Sequence, residues 1–424
     1  MQLRFAFGKS GIDLSLPSGF QYEVLEARSA AALPDATSAI NAALDAPVAG
    51  PSIAELARGK RTAAISVCDI TRPAPNRVVL PPLLRKLEQA GITRDNTIVM
   101  IATGLHRAAT DAEIAEILGP ELAGKIRVGN HDARDRASHR YLGETVAGTP
   151  VWIDERFMAA DLHITLGFIE PHLMLGFSGG RKLIAPGLAG QETIKVIHSP
   201  KFMRDARAVE GSVADNPLHR ELLEIAAMAR HDFMVDVALT RERSIAGVFA
   251  GSAREAHSSG MDFVSRVMLE NLPEPVDAVV TSCAGHPLDM TFYQAIKGVT
   301  AAQHIVKPGG RILLIAECAE GAGAREFCEL LQRTGSHSEY LESIAAAPVI
   351  VDQWQLEKLA LVTRKAEVLF YTPGLPEEYR PKLWGKSFDS PGAAVQALTQ
   401  GLQPEARIAL MPEGPYVLAR VAGA

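Results

Sequence analysis

The stretch RTAAISVCD, residues 61–69, decides the fold that the sequence predicts. It is a run of small and apolar residues that ends in an aspartate, which is the pattern of a strand buried inside a sheet. A helix is predicted next, over VVLPPLLRKLEQAG, and it ends at Gly91. A second buried strand, NTIVMIATG (96–104), and a second helix, DAEIAEILG, follow. Strands and helices that alternate in this way indicate a parallel sheet with helices on its faces.

The alternation extends beyond this segment in both directions. Short strands are predicted within residues 2–26, and DLHITLGF (161–168) is a further buried strand. The Pro-rich segment NLPEPVD (271–277) predicts a domain boundary, and a second series of strands and helices follows it. We therefore predict the α/β class: two α/β domains with mainly parallel sheets and an active-site cleft between them. The predicted parts are residues 1–270, residues 277–404, and a terminal segment 405–424 that either returns to the first domain or completes the second.

Composition excludes several classes of protein. The 424 residues are 47% hydrophobic and 22% charged, as in an ordinary soluble protein. The net charge of −6 gives no reason to expect nucleic acid or an anionic membrane as a partner. The first residues lack the apolar core of a signal peptide, and no window approaches the ~20 apolar residues of a membrane span. The four cysteines are widely spaced, so we expect a reducing cytoplasm.

Polar residues follow three of the predicted strands, where open α/β sheets bind their ligands. Asp69, Thr71 and Arg72 come directly after the first strand, His106 follows the second, and His172 follows DLHITLGF. Asp69 and Arg72 could form a buried ion pair, or Thr71 could contact a phosphate or ribose while Arg72 binds a carboxylate bidentately. Two histidines at equivalent strand ends favour a shared site, in which they could exchange acid and base roles.

The segment GFIEPHLMLGFSGGRKLIAPG, residues 167–187, resembles a phosphate loop but fails its pattern. Arg181 separates Gly180 from Lys182, and a leucine stands where a hydroxyl is required. What remains is a tight glycine turn that presents Ser178, Arg181 and Lys182 near His172.

Further candidates lie elsewhere in the chain. His198 could bind a metal, but a single histidine is a poor metal site, and no His-Glu-x-x-His motif occurs. His131 and His139 lie in a polar stretch that is typical of a solvated loop. Gln294 and Lys297 share one face of a predicted helix, either as surface polarity or as a clamp for a substrate.

Five motifs taken together resemble the nickel-dependent lactate racemase family over essentially the whole chain. They are DITRP, TGLHR, IEPHLMLGFSGGRKLIAPG, IHSP and YQAIKG, in that order. The resemblance implies a nickel-pincer nucleotide, a pyridinium mononucleotide (pyridinium-3-thioamide-5-thiocarboxylic acid) whose two sulfur groups and ring carbon hold nickel. It implies covalent attachment of this cofactor to Lys182, with His198 as the remaining nickel ligand. One protein histidine then suffices for the metal.

The resemblance also implies the reaction, which is racemisation or epimerisation of lactate or a related 2-hydroxy acid. Hydride passes reversibly to the cofactor while a base takes the hydroxyl proton, and His106 and His172 are the expected bases for the two enantiomers. Arg72 is expected at the substrate as part of the catalytic set. The remaining expected contacts are Asp69, Ile70, Thr71 and Arg72 at the cofactor, and Tyr293, Gln294 and Lys297 at the substrate.

Tyr293 and Trp354 are possible pocket walls, although aromatic residues of an α/β chain more often belong to the core. The expected partners are a small 2-hydroxy acid and the proteins that synthesise the cofactor. Two other functions stay open on the residues alone. One is a zinc hydrolase that uses His106, His172 and His198 as metal ligands, and the other is a non-catalytic protein that binds a phosphorylated metabolite.

Overall fold

The computed structural model describes residues 1–72 and 74–422. Its strands are, in chain order, β1 (Gln2–Phe5), β2 (Ile12–Ser15), β3 (Gln21–Val24), β4 (Ala63–Cys68), β5 (Thr97–Ala102), β6 (Arg127–Asn130), β7 (His139–Glu144), β8 (Pro150–Asp154), β9 (Leu162–Phe168), β10 (Pro171–His172), β11 (Gly176–Phe177), β12 (Phe233–Leu239), β13 (Ile245–Gly251), β14 (Leu269–Leu272), β15 (Val276–Ser282), β16 (Val306–Ile315), β17 (Glu367–Tyr371), β18 (Lys386–Ser387), β19 (Arg407–Met411) and β20 (Leu418–Val421).

The α-helices lie between these strands. They are α1 (Ala36–Asp45), α2 (Ile53–Ala57), α3 (Asn76–Gln89), α4 (Asp111–Leu118), α5 (Glu155–Met158), α6 (Gln191–Ile197), α7 (Pro200–Met203), α8 (Pro217–Met228), α9 (Ala253–Met268), α10 (Phe292–Ala302), α11 (Arg325–Arg333), α12 (His337–Ser343), α13 (Gln353–Thr363) and α14 (Pro391–Thr399). The series β4, α3, β5, α4 confirms the alternation predicted from residue 61 onward. No helix of the described residues is long and apolar enough to cross a membrane.

The described chain forms two compact units. The N-terminal unit comprises Ser29–Ile197 and Arg207–Val267. The C-terminal unit comprises Met1–Arg28, His198–Ala206 and the chain from Met268 onward. Each unit is an α/β structure with a mainly parallel six-stranded sheet, in agreement with the predicted fold class.

The division differs from the predicted 1–270 and 277–404 at the start of the chain. Strand β3 pairs in parallel with β19, so Gln21 lies opposite Arg407 and the first residues join the C-terminal sheet. The terminal segment 405–424 supplies β19 to the same sheet, and its β20 pairs with β14. As far as it is described, it completes the C-terminal unit and does not return to the other. Pairing between strands so far apart in sequence leaves no local signal.

The sheet of the N-terminal unit has the order β13-β12-β9-β4-β5-β6. All neighbours are parallel except β12 and β13. Every residue of β4 and of β9 is buried, which fits central strands that are covered on both faces. Because β4, β5 and β9 are parallel neighbours, their carboxyl ends lie along one edge of the sheet.

The sheet of the C-terminal unit has the order β18-β17-β16-β15-β19-β3 and is parallel throughout. Successive residues of its strands point into two different apolar clusters. Val279 packs in a cluster with α10, α11 and α13, and Val280 packs with β1, β2 and α14. The hairpin of β1 and β2 and the helix α14 therefore cover one face of this sheet.

Candidate functional site

An aspartate and a histidine form the central pair at the carboxyl edge of the N-terminal sheet. Asp69 follows β4 and is buried, and His106 lies in the loop after β5 with its side chain 48% exposed. Asp69 Oδ2 lies 2.6 Å from His106 Nδ1. The other carboxylate oxygen accepts hydrogen bonds from the hydroxyl and the amide of Thr71, at 2.6 and 3.2 Å. The two residues are brought together because β4 and β5 are adjacent parallel strands.

The Asp69 carboxyl is held in its charged form. Burial raises the pKa of Asp69, but hydrogen bonding to His106, the His106 and Arg72 charges and the Thr71 hydroxyl outweigh burial and lower it. A carboxylate can only accept, so His106 donates from Nδ1 and its Nε2 is left as the basic nitrogen. This arrangement fixes the tautomer and the orientation of the imidazole.

Arg72 lies at the end of the same segment. Its Nη1 is 3.2 Å from both the carbonyl oxygen and the hydroxyl of Thr71. No hydrogen bond joins its guanidinium to Asp69 among the described contacts, so the buried ion pair that the sequence left open is not the arrangement found.

The histidine of the glycine-rich segment lies in a small hairpin. His172 ends β10 and is the register partner of Gly176 in β11. The amide of Met174 is 3.5 Å from His172 Nδ1. The hairpin follows β9 directly, which places His172 at the same sheet edge as the ends of β4 and β5.

Lys182 lies in the short 3-10 turn Gly180–Leu183. The tight glycine turn predicted there is present, since Gly179 and Gly180 have φ values of 83° and 46°. Of the three polar side chains that this turn was predicted to present near His172, Ser178 and Arg181 are buried. Only Lys182 is partly exposed.

His198 belongs to the C-terminal unit, although it follows α6 of the other unit. Its ring lies 4.4 Å from the ring of Trp354, with a tilt of 38° between them. Trp354 Nε1 donates a hydrogen bond to the hydroxyl of Tyr293 at 3.2 Å. Tyr293 also makes an edge contact with Phe327 at 5.2 Å. Of the two aromatic residues considered as pocket walls, Trp354 packs against the predicted metal ligand, and Tyr293 is hydrogen-bonded to Trp354.

Two anchors hold the His198 segment to α13. Arg204 Nε donates to the fully buried Glu357 at 2.7 Å, and Lys358 Nζ donates to the carbonyl of Met203 at 3.0 Å. These contacts explain why residues 198–206 group with the second half of the chain.

The predicted substrate residues lie at the start of α10. Thr291 caps this helix by accepting from the amide of Gln294. Within the described chain, Gln294 Oε1 is buried without a hydrogen-bond partner, so it is available to a water molecule or a ligand. Gln294 and Lys297, three residues apart, lie on one face of the helix as predicted.

Two further histidines are placed differently from the prediction of a solvated loop. His131 and His139 are buried, with ring centroids 5.0 Å apart. His131 contacts Asp154 Oδ2 at 3.1 Å and the carbonyl of Ala189 at 3.0 Å. These two partners compensate the cost of burying the His131 imidazole. The two histidines are therefore part of the packing around β8.

Within residues 1–72 and 74–422, no three His, Cys, Asp or Glu side chains are grouped so that they could hold a metal ion. The zinc site considered for His106, His172 and His198 therefore has no support from these residues.

Comparison with known proteins identifies the family. The sequence matches the family model "Lactate racemase N-terminal domain" over residues 7–211 and the model "Lactate racemase C-terminal domain" over residues 272–419. The chain belongs to the lactate racemase family. It is accordingly an isomerase of the racemase type.

The relatives agree with this membership. The chain is 30% identical to the lactate racemase of Thermoanaerobacterium thermosaccharolyticum, with 99% of each protein covered. It is 34% identical to the lactate racemase of Lactiplantibacillus plantarum, with 78% of each covered.

Solved structures support the fold. The lactate racemase apoprotein from T. thermosaccharolyticum matches with a TM-score of 0.93, at 30% identity, over 99% of this chain and 100% of that one. A protein from Thermotoga maritima matches with a TM-score of 0.68 at 17% identity, over 92% and 99%. The second likeness shows the fold alone.

Sequence reasoning missed polar residues that this lactate racemase family member buries behind the glycine turn. Asp236 is the one charged residue of β12, FMVDVAL, and it is fully buried. An aspartate inside an otherwise apolar strand is a signal that could have drawn attention to it. His257 of α9 gave no such signal, because its partner is far away in the sequence.

Proposed function

We propose that this chain racemises lactate or a closely related 2-hydroxy acid, with His106 and His172 as its acid/base pair. The observation that carries the proposal is the 2.6 Å contact between Asp69 and His106 at a sheet edge that also bears His172 and Lys182. This geometry supports the proposal, because a hydrogen-bonded carboxylate orients an imidazole in the way that a general base needs.

The reaction class follows from the chemistry of a 2-hydroxy carboxylate. Its α-hydrogen is a poor acid because the adjacent carboxylate is already negative. Loss of that hydrogen as hydride is easier when a base removes the hydroxyl proton at the same time. His106 Nε2 takes this proton from one enantiomer, and the Asp69 carboxylate stabilises the imidazolium that forms. His172 serves the other enantiomer, so a complete turnover uses both residues.

We propose that the substrate is bound by cationic and amide side chains. Arg72 presents a planar guanidinium that can hold a carboxylate with two hydrogen bonds. Lys297 supplies a second positive charge, Gln294 directs its buried amide oxygen to the substrate hydroxyl, and Tyr293 contacts the substrate beside it.

We further propose that the cofactor is a nickel-pincer nucleotide linked to Lys182. The residues fit such a group. Lys182 offers a primary amine on a glycine turn for the covalent link, and His198 offers an imidazole beside Trp354 as one nickel ligand. The absence of a three-residue ligand group within the described chain agrees with a metal held mainly by the cofactor itself. When bound, this group would supply a reversible hydride acceptor.

Residues Asp69–Arg72 remain proposed contacts of the cofactor, with Asp69 acting mainly through His106. The proposed partners in the cell are the proteins that synthesise the cofactor. The proposed compartment is the cytoplasm, since the cysteines at positions 68, 283, 318 and 328 are all free.

The test is intact mass and racemase activity after co-expression with a cofactor-synthesis pathway. We expect a nucleotide adduct on Lys182, one nickel per loaded chain, and conversion of each pure lactate enantiomer to the racemate. Lys182→Ala should lose the adduct, with an unchanged circular dichroism spectrum. A wild-type chain that carries no adduct and no nickel under these conditions, or a loaded chain that converts no 2-hydroxy acid, would overturn the proposal.

A further inference from the structure

A buried carboxylate lies directly behind the turn that carries Lys182. Asp236 is in β12, opposite Gly167 of β9 in the parallel register, and it is fully buried. Its Oδ2 accepts a hydrogen bond of 2.6 Å from the amide of Gly180. The mechanism described above gives this carboxylate no role.

The turn can approach the carboxylate so closely only because it is made of glycine. A Cβ atom on Gly179 would lie 2.2 Å from Asp236 Oδ2 and 3.0 Å from the carbonyl of Phe168. Gly179 also has φ of 83°, which other residues rarely adopt. The two glycines of SGGRK therefore serve the contact with Asp236. They do not form a phosphate loop.

Two buried side chains fix the rest of the turn. Arg181 donates from Nη2 to the carbonyls of Leu175 and Phe177 at 2.9 and 3.3 Å. His257 Nε2 donates to the carbonyl of Ser178 at 2.7 Å, which leaves its Nδ1 to accept from Arg181 Nη1 at 3.2 Å. Burial and the Arg181 charge lower the pKa of His257 far below its usual value, in agreement with a neutral acceptor.

These anchors end one residue before Lys182. The amide of Gly180 is bound to Asp236, and the whole guanidinium of Arg181 is buried, whereas Lys182 is partly exposed. A pair of glycines in left-handed conformations is otherwise adaptable, because glycine has more accessible backbone states than any other residue. Without an acceptor at Asp236, a buried amide would be unpaired, and the turn would open to satisfy it.

We propose that Asp236 is a positioning residue for Lys182: its carboxylate anchors the Gly179–Gly180 turn and so orients the lysine for covalent attachment of the cofactor. The second half of this statement rests on the proposed function of Lys182, and the first half does not. Asp236 contacts no reacting atom and acts only through the turn.

The first test uses the wild-type chain without cofactor. Hydrogen exchange resolved to single amides should show the Gly180 amide strongly protected, although it opens a short 3-10 turn and has no partner in a helix or strand ladder. Exchange of this amide at the rate of a free peptide would overturn the anchor. This measurement does not depend on whether any variant folds or on whether Lys182 carries a cofactor.

The second test compares Asp236→Asn and Asp236→Ala with Asp232→Asn. Asp232 is the matched control, since it also accepts from a backbone amide, that of His163 at 2.9 Å, but its ion-pair partners are Lys60 and His163 rather than the turn. We expect Gly180 exchange to rise about tenfold or more in Asp236→Ala and less in Asp236→Asn, which keeps one acceptor oxygen. Asp232→Asn should leave the exchange unchanged.

The same variants are then co-expressed with the cofactor pathway. The fraction of chains with an adduct on Lys182 should fall in the order wild type, Asp236→Asn, Asp236→Ala, while kcat per loaded chain stays near the wild-type value. If Asp236 were purely structural, its substitution would lower the melting temperature without lowering the loaded fraction selectively relative to kcat. Wild-type loading in Asp236→Ala, or equal loss in Asp232→Asn, would overturn the proposal. A wild-type chain that never acquires the adduct would overturn the proposed function instead. The exchange of the Gly180 amide would still test whether Asp236 anchors the turn.

Discussion

The carboxyl edges of the parallel strands in the two sheets carry different groups. In the N-terminal unit this edge carries Asp69, His106 and the His172 hairpin. In the C-terminal unit the loop between β1 and β2 covers the corresponding edge. The Gly8 amide donates to Asp289 at 2.7 Å, the carbonyl of Gly8 accepts from His286 at 2.9 Å, and Phe7 stacks on Tyr371 at 5.9 Å.

The difference shows that the architecture alone does not make a site. Open α/β sheets bind ligands beyond the carboxyl ends of their strands, and both units offer such an edge. Asp289 accepts from two backbone amides, those of Gly8 and Glu317, so its acceptor capacity on one oxygen is taken by the chain itself. The partner of Asp69 is an imidazole, which can exchange protons with a substrate. Of the two edges, the N-terminal one is therefore better suited to proton transfer, because its carboxylate holds an imidazole rather than backbone amides.

The largest effect is expected from the two histidines of the N-terminal edge. His106→Ala and His172→Ala should each lower racemisation in both directions by ~10²–10⁴-fold, the usual contribution of a general base. His337→Ala is the control and should leave racemisation unchanged, because this ring packs edge-on against Trp384, with 6.5 Å between the ring centroids, and has no proposed part in the reaction.

The roles of the two histidines separate in single turnovers of the loaded variants. Each variant should still oxidise one enantiomer, and the preferred enantiomer should be opposite in the two. If both prefer the same enantiomer, or if either racemises at a near-normal rate, the two residues are not opposed bases.

Asp69→Asn should have the next largest effect. The amide cannot accept from Nδ1 and Thr71 as the carboxylate does, so we expect kcat to fall ~10²-fold from loss of the tautomer and of imidazolium stabilisation. In Thr71→Val, which removes only the hydroxyl, kcat should fall less. Equal activity in wild type and Asp69→Asn would show that the 2.6 Å contact is structural and would remove the contrast with Asp289.

The same carboxylate predicts a pH dependence of stability. The pKa of Asp69 is lowered in the folded chain, so its stabilising contribution is complete above the unfolded value of ~3.9 and is lost as the pH falls through the lower folded value. The difference in unfolding free energy between wild type and Asp69→Asn should therefore shrink as the pH falls from about 5 to about 3. Urea titrations across this range and below pH 4 measure it, and a difference that grows on acidification would contradict the assigned direction.

On the covered edge, Asp289→Ala should change stability and spare chemistry. Two half-buried amides lose their acceptor, which costs about 1–3 kcal/mol of unfolding free energy. Asp13→Ala, in the same hairpin, breaks only an exposed contact with Arg4 and should cost at most about 1 kcal/mol. Urea denaturation gives both values, and kcat of the loaded chain should be unchanged in each.

Phe7→Ala should have the smallest effect. It removes the stack on Tyr371, and such pairs contribute about 0.5–1.5 kcal/mol beyond their buried area. If this variant lowers kcat of the loaded chain by more than it lowers stability, the covered edge takes part in catalysis, and the comparison between the two edges fails.

The sequence by itself determined the α/β class, the strands and helices from residue 61 onward, and the segments that carry the candidate residues. These follow from patterns only a few residues long, because the periods of a strand and a helix and the signals of a turn are local. The tertiary structure decided the partners. Asp69 meets His106 across 37 positions, and Gly180 meets Asp236 across 56. Which strands become neighbours depends on packing of the whole unit, and for that reason the orientation of the base, the support of the lysine turn and the covering of the second edge could not be read from the chain.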